Sequence, residues 1–265
     1  MSGRALVTGA NGAFGTAVRA ELGRRGWSIV GLDLEQAGDE VIACDVTDDD
    51  AVQRAVSTAA QRLGGLDVVV NNAGIGGPAS AGAPPDEHVR RMLDVNLLGA
   101  WRVTAAAIDH LVETRGRVVL IGSRMSFIGL PLGAAYGVSK RALTAYADAL
   151  RAEYGTHVSV TCVHPAFVRT PIHDRTREAG LQLEGFSTEE PIEQVVATIV
   201  RACEGRNPGR DVAVTRGGRL QMGIARHLPR LVDRVIARTL GKRIAAGDLD
   251  DADVAAGLRA RHKRR

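Results

Sequence analysis

The sequence predicts an α/β fold: a doubly wound parallel sheet of about seven strands, helices on both faces, and a C-terminal helical extension. Three observations predict it. Short β-branched runs alternate with longer helical segments up to residue 215. Small and polar residues recur where those runs end, as expected at the ligand-binding edge of such a sheet. The composition, 45% hydrophobic with 31 glycines and 3% aromatics, suits a core of Val, Ile and Ala with glycine at strand-to-helix turns.

The first strand candidate is RALVT (4–8), and a helix is expected over 13–25. Between them lies TGANGAFG (8–15). Gly9 permits a tight turn out of the strand. Gly12 and Gly15 let backbone approach a bound group, and Gly15 lets the helix pack on the sheet. The helix start aims free N–H groups and a positive dipole end at an anion. Thr8 and Asn11 are expected to pin the turn by hydrogen bonds.

The second candidate, SIVGLD (28–33), ends in Asp33, eighteen residues past Gly15. That is near the ~20-residue spacing of a carboxylate that binds a ribose diol. Its charge repels a 2′-phosphate, Leu34 follows it, and residues 8–15 hold no Lys or Arg. The expected cofactor is therefore NAD rather than NADP.

The third, EVIACD (40–45), ends in Asp45, with a helix expected over 49–63. The fourth, DVVVNN (67–72), leads into Ala73 and Gly74, and one helix is expected across 86–113. The fifth, RVVLIGS (117–123), ends at Ser123 before a helix over 136–154. The sixth, VSVTCVHP (158–165), runs into Pro165 and Ala166. A helix over 190–204 precedes the seventh, DVAVT (211–215). With no internal repeat or low-complexity linker, one domain is expected over 1–218, with an extension over 219–265.

Tyr136 and Lys140 stand four apart, on one face of the expected helix. A tyrosine of pKa about 10 is a poor base at neutral pH, and a nearby ammonium favours the phenolate. Lowering that pKa by roughly 2–3 units takes about 3–4 kcal/mol. Ser123 is placed to hydrogen-bond a substrate oxygen beside Tyr136.

The glycine loop, NNAG (71–74), Asn96 in DVNLLG, Ser123 and YGVSK (136–140) resemble the short-chain dehydrogenase/reductase family in its compact form, over about residues 4–215. The resemblance implies a Rossmann-like fold and an oxidoreductase. It implies Tyr136 as general acid/base, Ser123 orienting the reacting oxygen, and Lys140 lowering the tyrosine pKa and bonding the nicotinamide ribose. It implies that Asn96 holds a water of a proton relay. Gly9, Asn11, Gly12, Ala13, Phe14 and Gly15 would cradle the cofactor. Asp45 and Val46 would flank the adenine, and Asn72, Ala73 and Gly74 would lie near the adenosine ribose. Pro165, Ala166, Val168 and Thr170 would lie at the nicotinamide end. Three features depart from the compact pattern: Ala13 where glycine is usual, Ala166 in place of the glycine of Pro-Gly, and about fifty residues beyond the last strand.

Residues 171–190 are expected to form a lid, with Ile172, Leu181, Leu183 and Phe186 closing over an apolar substrate. Ile75, Met125, Phe127, Leu130 and Phe167 would add apolar walls. A lipophilic secondary alcohol or ketone, such as a steroid, terpenoid or polyketide, follows. Arg124 is expected to face solvent or an internal ion pair, with a substrate carboxylate as the alternative. His164 and His173 are expected to pack rather than catalyse. Two other functions fit parts of the pattern: a sugar-nucleotide epimerase or dehydratase, and a non-catalytic dinucleotide sensor.

PRLVDRVIARTL (229–240) reads as a helix stopping at Gly241, with Leu231, Val232, Val235, Ile236 and Leu240 as an apolar stripe. It is expected to dock on its own domain or a second subunit rather than on a membrane surface. Family resemblance implies a homodimer or homotetramer. The net charge of +4 owes much to RARHKRR (259–265), and no nucleic-acid contact is expected. Cys44, Cys162 and Cys203 are too dispersed for a disulfide framework or metal site. With the first strand starting at Arg4 and no apolar run near ~20 residues, a cytoplasmic protein without signal peptide or membrane span is expected.

Overall fold

A computed structural model of the chain describes residues 3–181, 189–205 and 208–262. Seven parallel strands form one sheet: β1 (Arg4–Thr8), β2 (Ser28–Asp33), β3 (Val41–Ala43), β4 (Val68–Asn71), β5 (Arg117–Ile121), β6 (Ser159–His164) and β7 (Asp211–Ala213). Their order is β3-β2-β1-β4-β5-β6-β7. The chain works outward from β1 to β3, then crosses to β4. The order thus reverses between β1 and β4, where such sheets open a crevice beyond the strand ends.

The central strands are buried along nearly their whole length, and Val68, Val69 and Val70 are fully buried. Continuous β-branched runs suit strands covered on both faces. On one face, α2 (Asp49–Leu63), α4 (Ala100–Thr114) and α5 (Ala134–Tyr154) bury Val52, Val56, Val103, Leu111, Leu143 and Leu150. On the other, α1 (Ala13–Arg24) and α7 (Ile192–Glu204) bury Val18, Leu22, Val195 and Ile199.

Local signals set several boundaries. Asp48 caps α2 by accepting from Ala51 N–H at 2.9 Å, and Gly64 ends it with φ +71°. The helix expected across 86–113 is not one regular helix. α3 (Glu87–Leu93) opens into a π-helical turn (Asp94–Gly99) before α4 begins. Wide turns of this kind gather at functional sites, and this one carries Asn96.

Beyond β7 come α8 (Arg216–His227), α9 (Pro229–Ala245) and α10 (Ala256–His262); α8 and α10 were not foreseen. The expected stop at Gly241 is wrong, because α9 runs four residues further. Leu240 and Ile244 join Leu132, Leu181 and Leu249 in an apolar cluster. That packing outweighs the ~1 kcal/mol by which glycine disfavours a helix interior. The stripe on α9 divides: Leu240 is buried, whereas Leu231 and Val235 are exposed. Among the described residues, no helix is long and apolar enough to cross a membrane.

Candidate active site

The turn after β1 is built by absence of side chains. Gly9 has φ +62°, and a Cβ there would lie 2.9 Å from the Cα of Ala73. A Cβ on Gly15 would lie 2.0 Å from the carbonyl oxygen of Gly9. Helix α1 therefore starts pressed against its own turn. Gly12, its N-cap, offers no side-chain cap, so the first-turn N–H groups of α1 remain for an anion. This cradle fits the pyrophosphate of a dinucleotide.

Thr8 acts differently from the expectation. Its hydroxyl accepts from the backbone N–H groups of Asn72 and Ala73, at 3.0 and 2.9 Å. It ties the end of β4 to β1 rather than pinning the glycine turn. The Asn72 amide donates to the carbonyls of Thr8 and Gly9. Asn11 secures the far side: its N–H donates to Asp33 Oδ2 at 2.7 Å, and its amide donates to the Glu35 carbonyl.

A cavity of about 810 Å³ runs along the strand ends. Gly9, Asn11, Gly12, Ala13, Phe14 and Asp33 line one end, with Asp45, Val46, Asn72, Ala73 and Gly74. Ser123, Tyr136, Lys140, Pro165, Ala166, Val168 and Thr170 line the other. Gly15 and Asn96 do not line it. The size is within the ~300–1,000 Å³ of ligand sites. Arg91, missed in the sequence, also lines it and donates to Asp45 Oδ2 at 2.8 Å. Burial works against the Asp45 charge, but Arg91 and Thr47 hold its carboxyl below the usual range.

The Ser–Tyr–Lys group converges as its spacing implies. Ser123 stands just past β5, and its Oγ accepts from Met125 N–H at 3.1 Å. Burial pushes the Tyr136 phenol up to about 12, opposed by a hydrogen bond with Ser123. Lys140 Nζ lies 5.7 Å from the centre of the Tyr136 ring and donates to the Ile121 carbonyl at 2.8 Å. Burial lowers its ammonium to about 8. In the protein alone, desolvation of the phenol therefore exceeds the effect of the lysine charge, and the expected lowering needs a further cation.

Asn96 braces this group. Its amide accepts from Ile75 N–H at 2.8 Å and donates to the Ile75 carbonyl and the Ser139 hydroxyl, both at 3.0 Å. Ser139 in turn donates to the Tyr136 carbonyl. A Cβ on Gly74 would lie 3.2 Å from Asn96 Oδ1 and 3.5 Å from Lys140 Nζ, so a glycine gives these groups room.

The Lys140 charge has a measurable stability cost. Its folded pKa lies below the ordinary 10.5, so the folded state disfavours the proton below pH about 8, and the cost fades from there to 10.5. Lys140→Met is expected to raise stability at neutral pH by about 1–3 kcal/mol, with the advantage gone above pH ~10.5. Urea unfolding across that range checks it.

At the substrate end, Met125, Ile128, Leu130, Phe167 and Ile172 line the cavity. Ile172 belongs to a short 3₁₀ turn (Pro171–His173) followed by α6 (Asp174–Glu178). Leu181 packs against Leu132 and Leu249, lining a smaller adjoining cavity. Leu183 and Phe186 lie outside the described residues. Phe127 is not a wall of the main cavity: its ring meets His164 edge-on at 4.9 Å. Arg124 does not face solvent. It is buried, and its guanidinium donates to Gln221 Oε1 on α8 at 2.5 Å. Gln221 lines the cavity, and the periodicity of 216–227 was the overlooked signal for it.

The short chain dehydrogenase model matches residues 4–180. An L-fucose dehydrogenase of Mus musculus is 31% identical over 245 residues, covering 82% of this chain and 89% of that one. A 1-deoxy-11-beta-hydroxypentalenate dehydrogenase of Streptomyces arenae is 37% identical over 194 residues, covering 63% and 68%. The ligand-free aldohexose dehydrogenase structure of Thermoplasma acidophilum shares the fold, with TM-score 0.73 at 24% identity, covering 83% of this chain and 94% of that one. With the glycine cradle, Ser123, Tyr136 and Lys140 gathered on one cavity and the family match over most of its length, the chain belongs to the short-chain dehydrogenase/reductase family of nicotinamide-dependent oxidoreductases.

Proposed function

We propose that the protein is an NAD-dependent oxidoreductase acting on a lipophilic secondary alcohol or its ketone. The observation that carries this reading is the junction of Ser123 and Tyr136 with an apolar recess of Met125, Ile128, Leu130, Phe167 and Ile172. A sugar offers hydroxyls that these apolar side chains leave unpaired, and Arg124 and Gln221 on the same cavity are bonded to each other. The 1-deoxy-11-beta-hydroxypentalenate dehydrogenase relative, whose named substrate is not a sugar, supports the same class. The fucose and aldohexose enzymes make sugars the reading to exclude.

The bound nicotinamide supplies the hydride acceptor or donor. Tyr136 transfers the proton at the substrate oxygen, and Ser123 orients that oxygen by a hydrogen bond. A phenol held at about 12 stays protonated at neutral pH, so the proton that ketone reduction consumes is in place. In the oxidative direction, Lys140 and the oxidised cofactor's positive charge together favour the phenolate. Lys140, at about 8, also gives and takes protons near neutral pH. Asn96 holds the Ile75 segment and Ser139 beside Tyr136, and in this reading also a water that carries the relay outward. Gly9, Asn11, Gly12, Ala13, Phe14 and Gly15 hold the pyrophosphate end. Asp45, Val46, Asn72, Ala73 and Gly74 hold the adenosine, and Pro165, Ala166, Val168 and Thr170 hold the carboxamide end.

NAD preference rests on Asp33, whose carboxylate lines the cavity with Leu34 and no basic residue in 8–15. A homodimer or homotetramer belongs to the same reading, supported by exposed Leu98, Trp101 and Val138 near α4 and α5.

Nicotinamide absorbance with NAD⁺ and NADP⁺, offered steroid, terpenoid, aliphatic and sugar alcohols, tests the reading. Turnover of a lipophilic alcohol with NAD⁺ is expected; turnover of sugars alone refutes the substrate class. Asp33→Asn is expected to lower kcat/KM for NAD⁺ by about 10- to 100-fold, or ~1–3 kcal/mol. A wild-type preference for NADP⁺ refutes the role of Asp33.

A further inference from the structure

Beneath the Ser123 turn lies a buried cluster that this chemistry does not use. His164, the last residue of β6, is fully buried. Its Nδ1 lies 3.1 Å from the Ser123 carbonyl oxygen, and its Nε2 lies 3.2 Å from Asp211 Oδ1 at the start of β7. A carbonyl oxygen only accepts. Asp211 is a carboxylate flanked by the guanidinium groups of Arg151 and Arg210, so it too only accepts. A neutral imidazole has one N–H. Both hydrogen bonds together require two.

We infer that His164 is a positioning residue: a buried imidazolium that clamps the Ser123 carbonyl and so holds the Ser123 side chain in place beside Tyr136. The inference rests on the reading that Ser123 and Tyr136 perform the chemistry. The Ser123 carbonyl also accepts from Ser126 N–H at 3.0 Å, so His164 adds a second bond at the base of the turn. Gly122 leaves the room, since a Cβ there would lie 2.7 Å from His164 Nδ1.

The surroundings suit a cation. Cys162, two residues back on β6, brings its sulfur within 4.8 Å of the ring and of Asp211. From β7 and its approach come Asp211 and Arg210; from α5 comes Arg151, whose guanidinium lies 3.9 Å from Asp211 Oδ1. Phe127 closes the ring edge-on. Burial opposes the His164 charge, but Cys162 and Asp211 outweigh it and raise the group to about 9. With a proton on each nitrogen, the ring offers no lone pair to a metal, although Cys162, His164 and Asp211 stand close enough to be ligands.

The direct test is nitrogen NMR of histidine-labelled wild type, with and without NADH. One fully buried ring is expected to carry protons on both nitrogens at pH about 7.5, where an ordinary histidine is neutral. His164→Asn assigns that signal by its loss. A neutral tautomer, or stoichiometric zinc in the purified protein, overturns the inference. Neither readout needs a substrate, so failure here is distinct from failure of the oxidoreductase reading.

Stability gives a second readout. The folded pKa is raised, so the stabilisation is complete below about pH 6.5 and is lost as pH rises toward about 9. Between those limits the group raises the unfolding constant about tenfold per pH unit. The window from pH about 6.5 to 8 lies below the titration of Lys140. There, His164→Asn is expected to lose that slope; an unchanged slope overturns the inference.

In turnover, His164→Leu is expected to lower kcat by about 10- to 100-fold, with the cofactor KM within about two-fold. His164→Asn, whose amide can donate to the Ser123 carbonyl, is expected to recover most of it. Equal loss in both variants marks mere core packing and overturns the inference. If the Leu variant fails to fold, the Asn variant and the NMR decide.

Discussion

Tyr136→Phe is expected to lower kcat by about 10²- to 10⁴-fold in both reaction directions, the range of a lost general acid/base. In free energy that is about 3–5.5 kcal/mol of transition-state stabilisation. The change removes one oxygen from a half-buried ring and leaves the apolar contacts in place. It ends the hydrogen bond to Ser123. Because the phenol is not bonded to Lys140, whose Nζ is held by the Ile121 carbonyl, the lysine should stay where it is. NADH fluorescence titration is therefore expected to give a Kd within about two-fold of wild type. Single-turnover absorbance of the preformed complex separates the two effects. A variant that keeps a tenth or more of wild-type kcat removes Tyr136 from the mechanism.

Gly15→Ala is expected to act on binding instead. The added methyl would meet the Gly9 carbonyl at 2.0 Å, and neither partner is a flexible side chain. The first turn of α1 must move off the strand-to-helix turn, carrying its N–H groups away from the pyrophosphate. A loss of about 100-fold in NADH affinity follows, or ~3 kcal/mol. Overpacking adds about 1–3 kcal/mol of destabilisation. Gly12→Ala is the control, since its Cβ would lie 3.3 Å from the same carbonyl oxygen, a contact that a small shift relieves. Calorimetric titration with NADH and urea unfolding of both variants test this. Equal affinities for the two would show that the packing of α1 does not shape the cradle.

The parts legible in the sequence were those governed by local chemistry. Glycines at 9, 12 and 15, strand-terminal Asp33 and Ser123, and the Tyr136–Lys140 spacing all announce themselves over a few residues. All seven strands were found, RALVT and SIVGLD with the right bounds and the other five two or three residues too long, because runs such as DVVVNN and VSVTCVHP carry strand-like residues into the loops that bear the site. What stayed hidden depends on distant partners. Arg91 meets Asp45 from forty-six residues away, and Gln221 meets Arg124 across ninety-seven. His164 looked like packing, because nothing near it in sequence shows that Asp211 and the Ser123 carbonyl take its two ring nitrogens. The continuation of α9 past Gly241 likewise depended on contacts with Leu132 and Leu181.

The wide turn at Asp94–Gly99 bears on how the chain tolerates insertions and deletions. A helix keeps phase by residue count, about 100° for each residue. Removing one residue between 94 and 99 would let the segment close into regular α-helix. Because the wide turn spends one extra residue on nearly the same rotation, α4 would keep its phase relative to α3. Trp101, stacked 4.5 Å from Tyr146, and Thr104, bonded to Asn71, would stay on their partners, whereas Asn96 would turn away from Ile75 and Ser139. A deletion inside the wide turn thus spares the core and disarms the site, whereas one inside α4 turns all that follows by about 100°.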